Sequence, residues 1–131
     1  MVAIALTAAE RQFFISLNEL SVPYLVVGLS AAVLQGADTA TLDIDIWFKD
    51  RTDPRIADEL GDRLDVVLTA SGLESFEFEY QGARQIEVDE IVLPVLPLER
   101  IICSKRAAGR VKDLAVLPAL EAALAAAQSG G

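Results

Sequence analysis

The hydrophobic positions of this chain recur with two periods, and the change from one to the other marks its elements. Thr7 and Glu10 stand three apart, just ahead of Phe13, Phe14, Leu17 and Leu20. That is a capping box followed by apolar residues at helical spacing, so a first helix is predicted from Thr7 to about Leu20. Pro23 is expected to end it. Tyr24 to Val27 is a short apolar run of β-formers and reads as a buried strand broken by Gly28. A short helix is expected over Ser30 to Gly36. Leu42 to Phe48 then alternates strictly, with Leu42, Ile44, Ile46 and Phe48 on one side and Asp43, Asp45 and Trp47 on the other.

After a polar turn at Lys49 to Asp53, Pro54 to Leu60 is a candidate short helix with Asp53 as its N-cap. Leu64 to Thr69 alternates as a strand with Asp65 and Val67 on one face, and Ser71-Gly72 is a turn. Phe76, Phe78 and Tyr80 fit a strand or a helix. Gln85 to Asp89 and Ile91 to Leu96 read as a hairpin turning at Asp89-Glu90. Pro97 opens a helix that Gly109 closes. A last helix is predicted over Val111 to Ala127, with Leu114, Leu117, Leu120 and Leu124 as the stripe that packs on the sheet, and 128–131 as a frayed tail. The order predicts an α+β (α/β) domain: a small mixed β-sheet flanked by helices, one face partly open, with C-terminal helices. No repeat or linker interrupts residues 1–131, which are read as one domain.

Composition narrows the chemistry. Hydrophobic residues are 53% and charged residues 24% of the chain, enough apolar surface for a real core. There is no histidine and a single cysteine, Cys103. Histidine-based triads, histidine zinc sites and disulfide frameworks are therefore excluded. The net charge of −9 argues against a broad nucleic-acid-binding face. The N-terminal stretch lacks the basic region of a secretory signal, and the longest uncharged run, Leu20 to Ala37, is broken by Pro23 and Gly28. A cytoplasmic protein without a membrane span is expected.

Asp43 and Asp45 carry the sharpest chemical signal. Two residues apart on a strand, they share a face at about 7 Å. Like charges so close are costly unless a cation lies between them. A hard divalent cation such as Mg²⁺ takes oxygen ligands and commonly one or two carboxylates plus phosphate. Asp65, on a neighbouring strand, is a candidate third ligand. The bland alternative is a solvated strand face. Gly28 and Ser30 stand where a strand turns into a helix, a place that offers N–H groups and a hydroxyl to phosphate. Arg100, Lys105, Arg106, Arg110 and Lys112 concentrate five of the 11 basic residues in a short stretch of an acidic chain. That cluster suits a polyphosphate and equally suits a solvated helix end. Trp47 is read as packing rather than as a stacking platform, and Cys103 as a small core residue.

Three blocks taken together carry a resemblance. Tyr24-Leu-Val-Val-Gly-Leu-Ser through Leu-Asp-Ile-Asp45, Leu64-Asp-Val-Val-Leu-Thr69, and Ser104-Lys-Arg-Ala-Ala-Gly-Arg-Val-Lys-Asp-Leu114 resemble the minimal nucleotidyltransferases of the DNA polymerase β superfamily, most closely the small bacterial AbiEii-type, toxin-like members. The likeness runs from about residue 20 to 122. It implies a nucleotidyltransferase-like fold and transfer of a nucleoside monophosphate from an NTP to an acceptor hydroxyl, with Mg²⁺ or Mn²⁺ as cofactor. It implies Asp43, Asp45 and Asp65 as metal ligands, with Asp65 also able to act as base. Gly28, Ser30 and Lys105 would contact phosphate, with Arg110 and Asp113 supporting that pocket. The acceptor would be a protein, an RNA or a small molecule. The chain departs from the family pattern at Leu29, where a small residue is usual, at Thr39, where arginine is usual, and in the short 49–63 segment. These departures keep a second reading open: a catalytically inactive nucleotidyltransferase-like module with a protein partner, of the toxin–antitoxin or regulatory kind.

Overall fold

The computed structural model describes residues 5–41, 43–56, 64–67 and 71–129. Its elements are α1 (Ala8–Glu19), β1 (Tyr24–Val27), α2 (Gly28–Leu34), β2 (Ile44–Phe48), β3 (Leu64–Val67), α3 (Phe76–Gln81), β4 (Arg84–Val88), β5 (Ile91–Val95), α4 (Leu98–Ala108) and α5 (Val111–Ser129). The strands form one five-stranded mixed sheet in the order β3-β2-β1-β5-β4. β1 runs antiparallel to β2 and parallel to β5, β2 runs parallel to β3, and β4 and β5 form an antiparallel hairpin. This is an α+β fold with helices on a mixed sheet and two helices at its C-terminal end. Among the described residues, no helix is long and apolar enough to cross a membrane.

The capping box at Thr7 and Glu10 forms in full, each side chain accepting the other residue's backbone N–H. The helix ends earlier than Pro23. Ser21 takes a left-handed conformation (φ 56°), its N–H donates to Asn18 O, and Val22 N–H donates to Leu17 O. That Schellman closure stops α1 before proline is reached. The Phe76 to Tyr80 ambiguity resolves as a helix. Ser75 caps it by accepting Phe78 N–H, and Phe76 and Tyr80 stack at 5.2 Å across one turn. Phe76 meets the Trp47 ring edge-on at 5.5 Å, so Trp47 is core and Phe78 is left in solvent.

Helices lie on both faces of the sheet. Phe14 of α1 lies 5.8 Å from Tyr24, which lies 6.5 Å from Phe48. α3 and α4 take the opposite face, the one that carries Trp47 and Asp45. All four residues of β1 are buried. The start of α4 is fixed by Gln35, whose amide donates to Leu96 O (2.8 Å) and accepts Leu98 N–H (3.2 Å). Pro97, the N-cap, has no side-chain bond of its own to offer. α5 packs along α4 rather than on the sheet, reaches Ser129, and buries only Asp113 and Leu120. Leu114 is about half exposed. The predicted Pro54 to Leu60 helix lies mostly outside the described residues. Its opening forms a turn in which Asp53 accepts Arg55 N–H. The predicted end of the third strand, 68–69, and residue 42 also lie outside them.

The hairpin turn has both central residues left-handed, Asp89 at φ 50° and Glu90 at φ 69°. That is the turn whose twist suits a two-residue hairpin, but side chains with a Cβ disfavour it. Glu90→Gly should raise stability by about 0.5 kcal/mol, with the relief of left-handed strain partly offset by the greater freedom of the unfolded chain. A higher urea midpoint at an unchanged slope would be the result expected.

Candidate functional site

The site forms where β1 becomes α2. No loop intervenes: Val27 is the last strand residue and Gly28 the first helical one. Gly28 takes φ 66°. A Cβ at this position would collide with Asp45 Oδ2 and lie 3.3 Å from its Cγ. Glycine is therefore required here twice over, for the backbone angle and for the carboxylate that occupies the side-chain space. The carboxylate arrives there because β2 pairs antiparallel with β1, placing Asp45 opposite Val27.

Around this point lies a pocket of about 230 Å³, lined on the sheet side by Val27, Gly28, Asp45 and Val67. Ser71 and Leu73 form one wall, and Ile101, Ser104, Lys105 and Ala108 of α4 form another. Arg110 and Asp113 close the rim. Five of the predicted residues thus meet at one pocket: Gly28, Asp45, Lys105, Arg110 and Asp113. Ser71, Leu73, Ser104, Ile101 and Ala108 were not singled out from the sequence. The α4 residues recur at three and four positions around Lys105, a periodicity that could have found them. The loop residues offered no such signal.

The remaining predicted residues stand apart from the lining. Asp65 is exposed and faces Asp45 in register across the parallel β2–β3 pair, at about the 4.8 Å spacing of neighbouring strands. Asp43 is exposed and precedes β2. Ser30 is fully buried, with its hydroxyl donating to Val27 O (2.8 Å) and accepting Asp45 N–H (3.1 Å). Its hydroxyl is committed to the backbone, so it is not offered to a phosphate in the pocket. Leu29 does not line the pocket either. Thr39 donates its N–H to Ala37 O.

The basic cluster read from the sequence does not form one patch. Arg100 makes a two-pronged pair with buried Glu79 (2.9 and 2.6 Å), tying α3 to α4. Arg106 pairs with Glu121 at 3.0 Å on the surface. Only Lys105 and Arg110 turn to the pocket, and both meet Asp113. Arg110 donates through Nε at 2.6 Å and Nη2 at 3.2 Å, and Lys105 Nζ stands 3.4 Å from Oδ1. Asp113 also accepts Arg110 N–H (3.2 Å), capping the start of α5.

These neighbours push the two pocket carboxyls in opposite directions. The Arg110 side-chain bond, then its backbone bond and the nearby Lys105, lower Asp113 to about 2, against a smaller opposing effect of burial. Burial raises Asp45 above the ordinary aspartate value, with the charges of Asp65 and Asp43 adding to it and Lys105 opposing. Among the described residues, no three acidic or thiol side chains come close enough to cage a metal ion. Asp45 and Asp65, in register on neighbouring strands, are the two carboxylates that would hold one. Such hard oxygen donors fit Mg²⁺ or Mn²⁺ when water and phosphate fill the other positions. No family model, no curated protein and no solved structure matches this chain.

The opposed shifts predict opposite mutational signs. The folded state holds the Asp45 proton more tightly than the unfolded chain, so the Asp45 charge costs stability once pH exceeds its raised value. Asp45→Asn should raise the Tm at pH 7, and the gain should vanish below pH 3.8, the ordinary value, where both states are protonated. Asp113 contributes stability that is fully present above pH 3.8 and lost as pH falls through about 2. Asp113→Asn should therefore lower the Tm by several degrees at pH 7, and less as the solution is acidified. Melting curves of the two variants and the wild type from pH 7 downward check both signs.

Proposed function

We propose that this protein is a metal-dependent nucleotidyltransferase that binds an NTP and transfers its nucleoside monophosphate to an acceptor hydroxyl. The observation that carries this reading is the meeting, in one pocket, of a raised carboxyl (Asp45, with Asp65 beside it) and a cation pair fixed by Asp113. A divalent ion between Asp45, Asp65 and the phosphates would neutralise charge that the two carboxylates otherwise share.

The chain's own groups have distinct parts in this reaction. Lys105 and Arg110 attract and orient the polyphosphate, and Asp113 keeps both cations on the pocket side. Asp65, exposed at the neighbouring strand, accepts the proton of the acceptor hydroxyl. The hydroxyl oxygen forms a bond to the α-phosphorus as the bond to pyrophosphate breaks. The reaction then proceeds by positioning and electrostatic stabilisation, as phosphoryl transfers generally do. Val67, Leu73 and Ile101 line the pocket with apolar surface, which favours the less polar part of a bound molecule.

A second reading rests on a specific observation. Arg110 is already held by Asp113 at 2.6 Å, and no phosphate loop separates β1 from α2. A pocket so closed on itself suits a module that binds a nucleotide or a protein partner without turnover.

Thermal shift with Mg²⁺ or Mn²⁺ and each of the four NTPs tests the main reading. At a hundredfold excess over Kd, a ligand should add about 2.7 kcal/mol of stability. The shift should require metal and be lost in Asp43→Asn/Asp45→Asn and in Lys105→Ala. Label should then pass from an α-labelled NTP to an acceptor. Shift without transfer in the presence of host extract favours the second reading, and no shift from any NTP overturns the first.

A further inference from the structure

We infer that Ser30 is a positioning residue whose buried hydroxyl sets the orientation of Asp45, on the premise that Asp45 is the functional carboxylate of the pocket. Three strands of argument meet at this side chain. Ser30 lies in the first turn of α2, is fully buried, and joins two elements at once. Its Oγ donates to Val27 O at the end of β1 and accepts the N–H of Asp45 in β2. Asp45 stands opposite Val27, so the hydroxyl bridges both members of one cross-strand pair at the place where the ladder ends.

The consequence follows from geometry. The Asp45 carboxylate fills the space over Gly28 that a side chain would take. The carboxylate keeps that place only while the Asp45 backbone stays close to Gly28. Gly28 and Ser30 belong to the same helical turn. The Ser30–Asp45 bond fixes the distance between that turn and the backbone that carries the carboxylate. Without the hydroxyl, the buried Val27 O and the partly buried Asp45 N–H lose this partner, and the Asp45 backbone is free to move away from the turn. A side chain facing the pocket from such a strand end is sensitive to groups that orient it, because small shifts in a supporting residue displace a ligand.

The test uses the full chain, isotope-labelled, as wild type, Ser30→Ala and Ser30→Cys. The thiol nearly preserves volume but is a poor acceptor, so Ser30→Cys carries the test if Ser30→Ala does not fold. The primary readout is the nuclear Overhauser contact between Gly28 Hα and Asp45 Hβ, compared with the Tyr24–Phe48 ring contacts as an internal control. The expected result is loss of the Gly28–Asp45 contact with the ring contacts intact. Persistence of the Gly28–Asp45 contact in a folded Ser30 variant overturns the inference and leaves Ser30 a purely structural bond. The second readout is Mn²⁺ with ATP, followed by electron paramagnetic resonance. Affinity should fall about ten- to a hundredfold in the variants. A wild type that binds no Mn²⁺ would overturn the proposed function, while the proton contact would still decide the role of Ser30.

Discussion

One steric constraint organises the centre of this protein: the Asp45 carboxylate and a side chain at residue 28 cannot occupy the same place. Glycine resolves the conflict and at the same time supplies the left-handed angle that lets β1 pass into α2 without a loop. That direct passage puts Ser30 within reach of both strand ends. It also brings α2 against α4, and Gln35 at the end of α2 fixes where α4 begins. The position of Lys105, two turns along α4, depends in turn on that start. A substitution at Gly28 would therefore disturb the carboxylate, the strand end and the helix that brings the lysine, although residue 28 carries no chemistry of its own.

The second organising element is electrostatic. In a chain of net charge −9, two buried acids, Glu79 and Asp113, draw their cations from the basic run between 100 and 112. Glu79 takes Arg100 and so locks α3 onto α4. Asp113 takes Arg110 and Lys105 and so fixes the corner between α4 and α5. The same pairs that hold the helices together determine which positive charges face the pocket. Gly109, left-handed at φ 65°, closes α4 and turns the chain into α5, whose Asp113 meets Lys105 of α4.

Much of this was legible in the sequence, and the rest was not for identifiable reasons. The Thr7–Glu10 box, the Tyr24 to Val27 strand, the Asp89-Glu90 turn and the Pro97 to Gly109 helix are local signals, set by residues within a turn of each other. They appear where the pattern puts them. α3 is ambiguous in the sequence because Phe76, Phe78 and Tyr80 fit both periods; the helix that forms is capped by Ser75 and docks Phe76 on Trp47, nearly 30 residues away. The sequence suggests Ser30 as a phosphate contact because its burial depends on the β1–β2 register, which no local pattern records. The basic run looked like one patch because its acidic partners Glu79, Glu121 and Asp113 are brought to it only by tertiary packing. The site's glycine, its central aspartate and its lysine–arginine–aspartate group were visible as residue types. Their partition into pocket-lining and supporting roles was not.

The two cations at the rim are held unequally, and that difference bears on what the pocket can do. Arg110 is fastened to Asp113 by side-chain bonds as short as 2.6 Å and by its own backbone, while Lys105 stands at 3.4 Å. Lys105 also lies close enough to Asp45 to oppose the raising of its carboxyl. The lysine thus acts on two carboxylates of the pocket, Asp113 at 3.4 Å and Asp45 through its charge. A flexible four-carbon stem carrying a point charge suits such a position better than the planar fork of arginine. An incoming anion would compete only with the long Lys105–Asp113 contact. A cation beside Asp45 would relieve the like charges of Asp65 and Asp43 and replace the help that Lys105 gives. Each event makes the other easier, because a cation at the carboxylates releases the lysine for the anion. Under the proposed function, a ligand that brings both charges together, as a metal–polyphosphate does, would therefore be favoured over either ion alone.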